Sequence, residues 1–140
     1  MVKRQRRDTV EVEEVVEKVR NALKNRPVSL DELIAITGYE SPGGLGIALG
    51  SMEAVWEVGH MEDGRYAMRY MADKDAPKPV AYNQVLTALQ ESPGSFHNIH
   101  TRSGIHAQQE VGEILGWMYA EGLVEEGRDT DGRFCWILAS

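Results

Sequence analysis

The sequence predicts an α+β protein, mainly helical, that contains two copies of one small module of three helices and a β-hairpin. The first observation is a repeat, because residues 27–52 match residues 93–118 without a gap and several glycines coincide. The second is that apolar residues in both copies recur at the helical period up to a glycine turn. The third is an Asp-Gly-Arg-aromatic hairpin signal in each copy, at residues 63–66 and 131–134.

The chain divides where its composition changes. We expect a flexible basic arm at residues 1–8, a first module at 9–71, a linker at 72–79 and a second module at 80–140. The linker is charged and contains two prolines, so it should be short and fairly stiff. Since a module of about 60 residues buries only a modest core, the two copies should share an interface.

The first helix is expected to begin at Asp8, because Asp8 and Glu11 have the spacing of a capping box. It should end near Asn25, since Pro27 disfavours helical geometry in the residue before it. One apolar stripe along this helix would face the core: Val12, Val15, Val16, Val19, Ala22 and Leu23.

Two further helices follow in the first copy. Ser29 and Glu32 form a second capping box, and Gly38 stands where a left-handed residue ends a helix. The third helix is predicted at residues 41–56, with a serine cap followed by proline in the first turn. Its predicted buried face consists of Leu45, Leu49, Met52 and Trp56.

The second copy repeats this order. We expect helices near residues 80–91, 95–102 and 106–121, and strands near residues 123–126 and 133–138. Gly104 takes the place of Gly38 between the second and third helices, and Gly122 ends the third helix.

The turns LDELIAITGY and FHNIHTRSGI and the hairpins DGRY and DGRF stand at matched places in the two copies. With three helices before each hairpin, the chain resembles the winged helix-turn-helix family, in tandem and over nearly its whole length after residue 9. In that family the third helix enters the major groove, and the hairpin touches phosphates or the minor groove. The resemblance therefore implies a DNA-binding transcriptional regulator whose partner is double-stranded DNA, with recognition helices at residues 41–56 and 106–121.

Candidate DNA contacts lie in three places. The arm and the first hairpin supply cations, and the start of the third helix of the second copy supplies polar side chains suited to base edges. These candidates are Lys3, Arg4, Arg6, Arg7, Arg65, Arg69, His106, Gln108 and Gln109. The third helix of the first copy fits less well, because its face opposite the core has no lysine or arginine.

The charge of the chain is unevenly distributed. The net charge is −7 and residues 1–7 carry +4, which leaves −11 for the other residues. An acidic body is unusual for a surface that must follow phosphates. This favours a second hypothesis, in which the surfaces of the two modules bind protein: a partner chain, a second copy of this chain in a homodimer, or a host factor that the protein inhibits.

Glycines four residues apart on both third helices support the second hypothesis. Gly46 and Gly50 match Gly112 and Gly116, and such spacing lets another backbone approach closely. The alternative is that these glycines only fit crowded turns within each module. Trp117 and the apolar face of the second hairpin add surfaces typical of interfaces. The candidate interface residues are Gly46, Ile47, Gly50, Ala54, Gly116, Trp117, Cys135 and Ile137.

No enzymatic activity, cofactor or metal site is predicted. Cys135 has no base nearby in sequence and, as the single cysteine, it excludes an internal disulfide and a cysteine-pair zinc site. The glycines at 43–44 lack the strand and the lysine of a phosphate-binding loop. His97, His100 and His106 have no cysteine or carboxylate to complete a metal site. Without a run of about 18 apolar residues or a signal peptide, the chain is expected in the cytoplasm and away from membranes.

Overall fold

The computed structural model of the protein describes residues 6–39, 41–128, 130–132 and 134–139. Among the predicted DNA contacts, Lys3 and Arg4 lie outside these residues, as do the side chains of Arg6 and Arg7. The basic arm therefore remains a prediction.

The described residues form an α+β structure that is mainly helical, as predicted. The first copy contains helices α1 (Arg6–Leu23), α2 (Leu30–Thr37) and α3 (Pro42–Ala54), and strands β1 (Val58–His60), β2 (Tyr66–Met68) and β3 (Lys74–Asp75). The second copy contains helices α4 (Tyr82–Glu91), α5 (Phe96–Ser103) and α6 (Gln108–Ala120), and strands β4 (Val124–Arg128) and β5 (Phe134–Leu138). Each copy thus has three helices followed by a hairpin.

Local signals determine several helix ends. The Ser29 hydroxyl accepts a hydrogen bond from the backbone N–H of Glu32, whose carboxylate accepts from the N–H of Ser29, so the predicted capping box is confirmed. Gly38 and Gly104 both adopt left-handed backbone geometry, with φ of 72° and 76°. Ser41 caps α3 by accepting from the N–H of Gly44.

Two predictions about helix ends are wrong. α1 begins at Arg6, so Asp8 lies inside the helix and not at its cap. α3 ends at Ala54, and Trp56 lies beyond it, 68% exposed and with a φ of 63°. The chain has to turn from α3 into β1, and Trp56 takes the left-handed position that Gly122 takes after α6. The other members of the predicted face are buried: Leu45, Leu49 and Met52.

The linker contributes a strand that was not predicted. β1 pairs antiparallel with β2, so that His60 stands opposite Tyr66. On its other side β1 pairs with β3, which lies within the linker. A Cβ atom on Gly59 would lie 2.5 Å from the carbonyl oxygen of Lys74, so the close pairing of β1 with β3 requires glycine at this position. The linker is thereby tied to the first copy.

The second hairpin is longer than the first on both sides of its turn. β1 and β2 form three residue pairs, whereas β4 and β5 form five. The segments between the paired strands are equally long, so the additional residues lie in the strands themselves. Because each strand of the second hairpin has two additional residues, Trp136 takes the place in the second copy that Tyr66 has in the first. The isolated β-bridge between Val28 and Tyr66 therefore corresponds to the β-bridge between Gly94 and Trp136.

Each copy has its own apolar core. The first core is formed by α1, α2, α3 and the first hairpin, and the second by α4, α5, α6 and the second hairpin. Three residues of the first copy also pack on the second core: Val12 of α1, and Ile47 and Ala54 of α3. Because α3 packs on two cores at once, most of its residues are buried.

The two copies meet along α3 and α6, which make the most extensive contact between any two described elements. A Cβ atom on Gly50 would lie 2.0 Å from the carbonyl oxygen of Glu113, and one on Gly116 would lie 2.1 Å from that of Ile47. No side chain fits in either place, so the two backbones contact each other directly through their glycines.

The contacts of the two helices follow the symmetry of the repeat. Gly46 faces the backbone of Gln109, and Gly112 faces the backbone of Gly43 in the same way. In the repeat, Gly46 matches Gly112 and Gly43 matches Gln109, so these two contacts are equivalent. Such an exchange of equivalent contacts relates the two helices by an approximate twofold axis. The helices run in the same direction, because residues further along α3 meet residues further along α6. The predicted close approach of another backbone is confirmed, and the alternative that these glycines only serve turns within each module is wrong.

Candidate functional site

A polar cluster lies at the contact between α3 and α6. We call it the interface cluster, and its members are Glu53, His60, Tyr66, Gln109, Glu113 and Trp117. Glu53 comes from the last turn of α3 and Glu113 from the middle of α6, so the helix contact brings together carboxyl groups from the two copies. His60 and Tyr66 stand opposite each other in the first hairpin, and their rings meet edge to face at 5.2 Å between centroids.

Glu53 is almost completely enclosed, with only 1% of its surface exposed. Its Oε1 accepts a hydrogen bond from the indole Nε1 of Trp117 at 3.3 Å, and its Oε2 lies 2.8 Å from Nε2 of His60. Burial raises the pKa of Glu53 to about 7, because an ionised carboxylate is poorly solvated there. Burial also lowers the pKa of His60, so its imidazole is mainly neutral at pH 7.

Glu113 is the second carboxyl group of the cluster. The Tyr66 hydroxyl donates to its Oε2 at 2.5 Å, and the side-chain amide of Gln109 donates to the same oxygen and to the hydroxyl. Burial, followed by the charge of Glu53, raises the pKa of Glu113 to about 8. Burial and the charge of Glu113 also raise the pKa of Tyr66.

Three members of the cluster can together hold a metal ion. The ligand atoms of Glu53, His60 and Glu113 all lie within 4.8 Å of one another, which no other group of metal-ligating side chains in the described part of the chain achieves. This group was not predicted, because its members come from three elements and from both copies. One signal was available, since Glu113 matches Ile47 in the repeat and thus occupies an apolar position.

Both arginines of the first hairpin, which are predicted to supply cations for DNA contact, form ion pairs with acidic residues. Arg65 pairs with Asp63 at 2.9 Å, and Arg69 pairs with Asp75 at 2.6 Å. Acidic neighbours thus neutralise both arginines, which makes them poorer ligands for phosphate.

The three polar residues predicted to meet bases at the start of α6 do not share one surface: Gln109 lies apart from His106 and Gln108. Gln109 is partly buried in the interface cluster and occupied by its hydrogen bonds there. His106 and Gln108 lie together on the surface, where they line an open depression of about 530 Å³ with His100, Thr101, Gly104 and Ile105. The ring Nε2 of His100 is 2.9 Å from the backbone oxygen of His106.

The predicted protein-interface residues are used within the chain. Gly46, Gly50 and Gly116 contact the opposite helix, whereas Ile47, Ala54 and Trp117 pack on the second core. Cys135 is buried in β5, and Ile137 packs on Gly127 of β4. The six helix residues of this set are thus covered within the chain, at the contact between the two copies or on the second core. For Cys135 and Ile137, an interface beyond their own hairpin stays a prediction.

A different apolar surface is exposed at the end of the first copy. We call it the Trp56 patch: Val55, Trp56 and Tyr70, which are 61%, 68% and 73% exposed. The N–H of Arg69 donates to the carbonyl of Glu57 at 2.9 Å, which joins the two segments that carry the patch. Trp56 is the exposed tryptophan among the three, since Trp117 and Trp136 are buried. The sequence does not predict the patch, because the helical period extended past Ala54 places Trp56 on the buried face of α3.

A comparison with models of known protein families, with curated proteins and with solved structures found no match to this chain. Within the described ranges, no helix combines the length and the apolar character needed to cross a bilayer. Function must therefore be argued from the surfaces and side chains themselves.

Proposed function

We propose that this chain is a cytoplasmic protein-binding module, built from two winged-helix units, that holds its partner through the Trp56 patch. The winged-helix assignment is supported by the order of three helices and a hairpin in each copy. It is further supported by Val28 and Gly94, which lie between the first two helices of their copies and bridge to the hairpin in both.

The pairing of α3 with α6 is the observation that carries the proposal. A recognition helix must present a long face to a groove about 12 Å wide. α3 has its own core on one side and α6 on the other, and α6 packs in the same way between its core and α3. This arrangement leaves neither helix a free face of that length, which favours protein binding over base recognition.

Trp56 is the best candidate for the centre of a partner interface. A non-glycine residue in left-handed geometry costs roughly 1–2 kcal/mol, and the second copy avoids this cost with Gly122 at the matched position. Strained residues cluster at functional sites, and tryptophan is enriched at the energetic centres of interfaces. A strained tryptophan that is mostly exposed is therefore better explained by binding than by folding.

The charges of the chain indicate the chemistry of the partner. The chain carries a net charge of −7 and exposes the apolar Trp56 patch. A partner chain with an apolar pocket for the indole and a basic rim would complement both features.

The test begins with the full chain carrying a photo-crosslinking amino acid at position 56, and at position 123 as a control. Leu123 is also exposed and apolar, but it lies at the corresponding end of the second copy. A protein captured at position 56 and not at position 123 is then purified, and its affinity is measured for wild type, Trp56→Ala and Leu123→Ala.

We expect Trp56→Ala to weaken the purified complex about 30-fold, as loss of an interface hot spot does, and Leu123→Ala to change it less than about threefold. Duplex binding is measured in parallel by fluorescence anisotropy at low salt, with and without residues 1–7. Two results together would refute the proposal in favour of DNA binding. The first is tight, salt-sensitive duplex binding by the chain lacking residues 1–7, and the second is an affinity for the partner that is the same in wild type and Trp56→Ala.

A further inference from the structure

We propose that the interface cluster binds one divalent cation of the Zn²⁺ type, with Glu53, His60 and Glu113 as its ligands. The site is separate from the surface assigned to a partner, because the Trp56 patch contributes no ligand atom. It would be built from both copies of the repeat, since Glu53 and His60 belong to the first copy and Glu113 to the second.

The spacing of the ligand atoms suits one small ion. Two ligands held about 2.0–2.1 Å from a tetrahedral ion lie roughly 3.3 Å apart. Oε2 of Glu53 and Nε2 of His60 are 2.8 Å apart, and no pair in the set exceeds 4.8 Å. These values bracket the required separation, so small side-chain rotations would complete the coordination.

The ligand types select among metals. An imidazole nitrogen with two carboxylate oxygens suits Zn²⁺ and its first-row neighbours, whereas Mg²⁺ and Ca²⁺ prefer sites made of oxygen alone. Three protein ligands leave a fourth position for water, as in zinc sites that remain open. The side chain of His60 is partly exposed, which gives an ion and its water a path from solvent.

The charges of the cluster give an independent reason for a cation. Buried charged groups in proteins are normally paired with an opposite charge or bound to a metal. Within the described residues, no lysine or arginine forms an ion pair with Glu53 or Glu113. Lys74 stands opposite His60 in the sheet, but it is exposed and pairs with neither carboxylate. A divalent ion would compensate both carboxylates at once and would release the protons that they hold in its absence.

Donors around the cluster already orient the ligands. Metal ligands in proteins are commonly held by a second set of hydrogen bonds, which fixes their direction towards the ion. Trp117 donates to one oxygen of Glu53 and leaves the other towards His60. Tyr66 and Gln109 hold Glu113 in the same manner.

The experiment uses the full chain, treated with a chelator, dialysed, and titrated with Zn²⁺ or Co²⁺. Calorimetry gives the affinity and stoichiometry for Zn²⁺, and the visible absorption of Co²⁺ reports the types of ligand. We expect saturation at one ion per chain, with a Co²⁺ spectrum that lacks thiolate charge transfer because Cys135 is not part of the cluster. Failure of the wild-type chain to bind either ion stoichiometrically, or a thiolate spectrum, would overturn the proposal.

Variants then locate the ion. Glu113→Gln keeps the shape of the side chain, and His60→Ala removes the nitrogen ligand at the end of β1. Each should weaken Zn²⁺ binding more than about tenfold. His106→Ala removes a histidine of the surface depression and should leave the affinity unchanged. Circular dichroism of the metal-free variants establishes that they are folded, and His60→Gln replaces His60→Ala if the latter is not. Equal binding by Glu113→Gln and wild type, or a loss caused by His106→Ala, would show that the ion binds elsewhere.

Discussion

Replacing Gly50 by alanine tests whether the direct contact between α3 and α6 holds the two copies together. The new methyl group would lie 2.0 Å from the carbonyl oxygen of Glu113, whereas ordinary contact begins near 3.4 Å. The obstructing atom belongs to the backbone of α6, so it cannot rotate away as a side-chain end would. The two helices must therefore separate by more than an ångström at this point.

The expected magnitude follows from two opposing effects. In an open helix, alanine would stabilise the protein by about 1 kcal/mol relative to glycine. Forcing extra atoms into a packed interior costs about 1–3 kcal/mol, and here it also displaces Glu113 from its hydrogen bonds in the interface cluster. We expect the unfolding free energy to fall by about 2 kcal/mol in Gly50→Ala. Gly116→Ala should behave alike, because it meets the carbonyl of Ile47 at 2.1 Å.

The assay is urea denaturation followed by far-ultraviolet circular dichroism, with tryptophan fluorescence as a second probe, to which the buried Trp117 and Trp136 both contribute. Gly44→Ala is the matched control in the same helix, because the atoms nearest to its methyl group belong to the side chain of Tyr39 and not to a backbone. We expect the control to change the unfolding free energy by less than about 1 kcal/mol in either direction. If Gly50→Ala were as stable as Gly44→Ala, the helices would not be in contact as described.

Three other substitutions test single features by the same denaturation assay. Trp56→Gly should be more stable than Trp56→Ala by about 1 kcal/mol, because only glycine relieves the left-handed backbone, and the opposite order would contradict the strain at this position. Arg102→Met should lower the free energy of unfolding by about 2 kcal/mol, because the guanidinium donates to the carbonyls of Ala88, Ser92 and Pro93 at the end of α4. Arg26→Met, at an exposed arginine, should lower it by less than about 0.5 kcal/mol, and equal losses in the two variants would refute this role of Arg102. Ser29→Ala should cost about 1 kcal/mol by removing a helix cap, and an unchanged urea midpoint would show that the capping box contributes nothing.

Features governed by near neighbours were readable from the chain. The capping box at Ser29 and the left-handed glycines at 38 and 104 depend on hydrogen bonds and backbone restrictions that act within a few residues. The mainly helical α+β class followed from the same local periodicities. The spacing of the four helix glycines also predicted that some other backbone would approach them.

Features that depend on distant contacts were not readable. Nothing around Glu53 indicates that it meets Glu113, since the two come together only when α3 and α6 pair. The exposure of Trp56 likewise depends on where the chain must turn to enter β1, and a helical period extended past Ala54 placed it on the wrong surface. The strand at Lys74 forms only because β1 offers it an unpaired edge.

The sequence by itself determined that this protein consists of two related helical units with small, closely approachable faces. Only the tertiary structure decided that each face is covered by the other, which leaves the Trp56 patch outside and the carboxyl groups of Glu53 and Glu113 inside. The physical reason is that a glycine spacing specifies how near a second backbone can come, but not which backbone it is. That choice is made by the packing of both copies together, where a covalent link of a few residues makes the partner in the same chain the nearest one available.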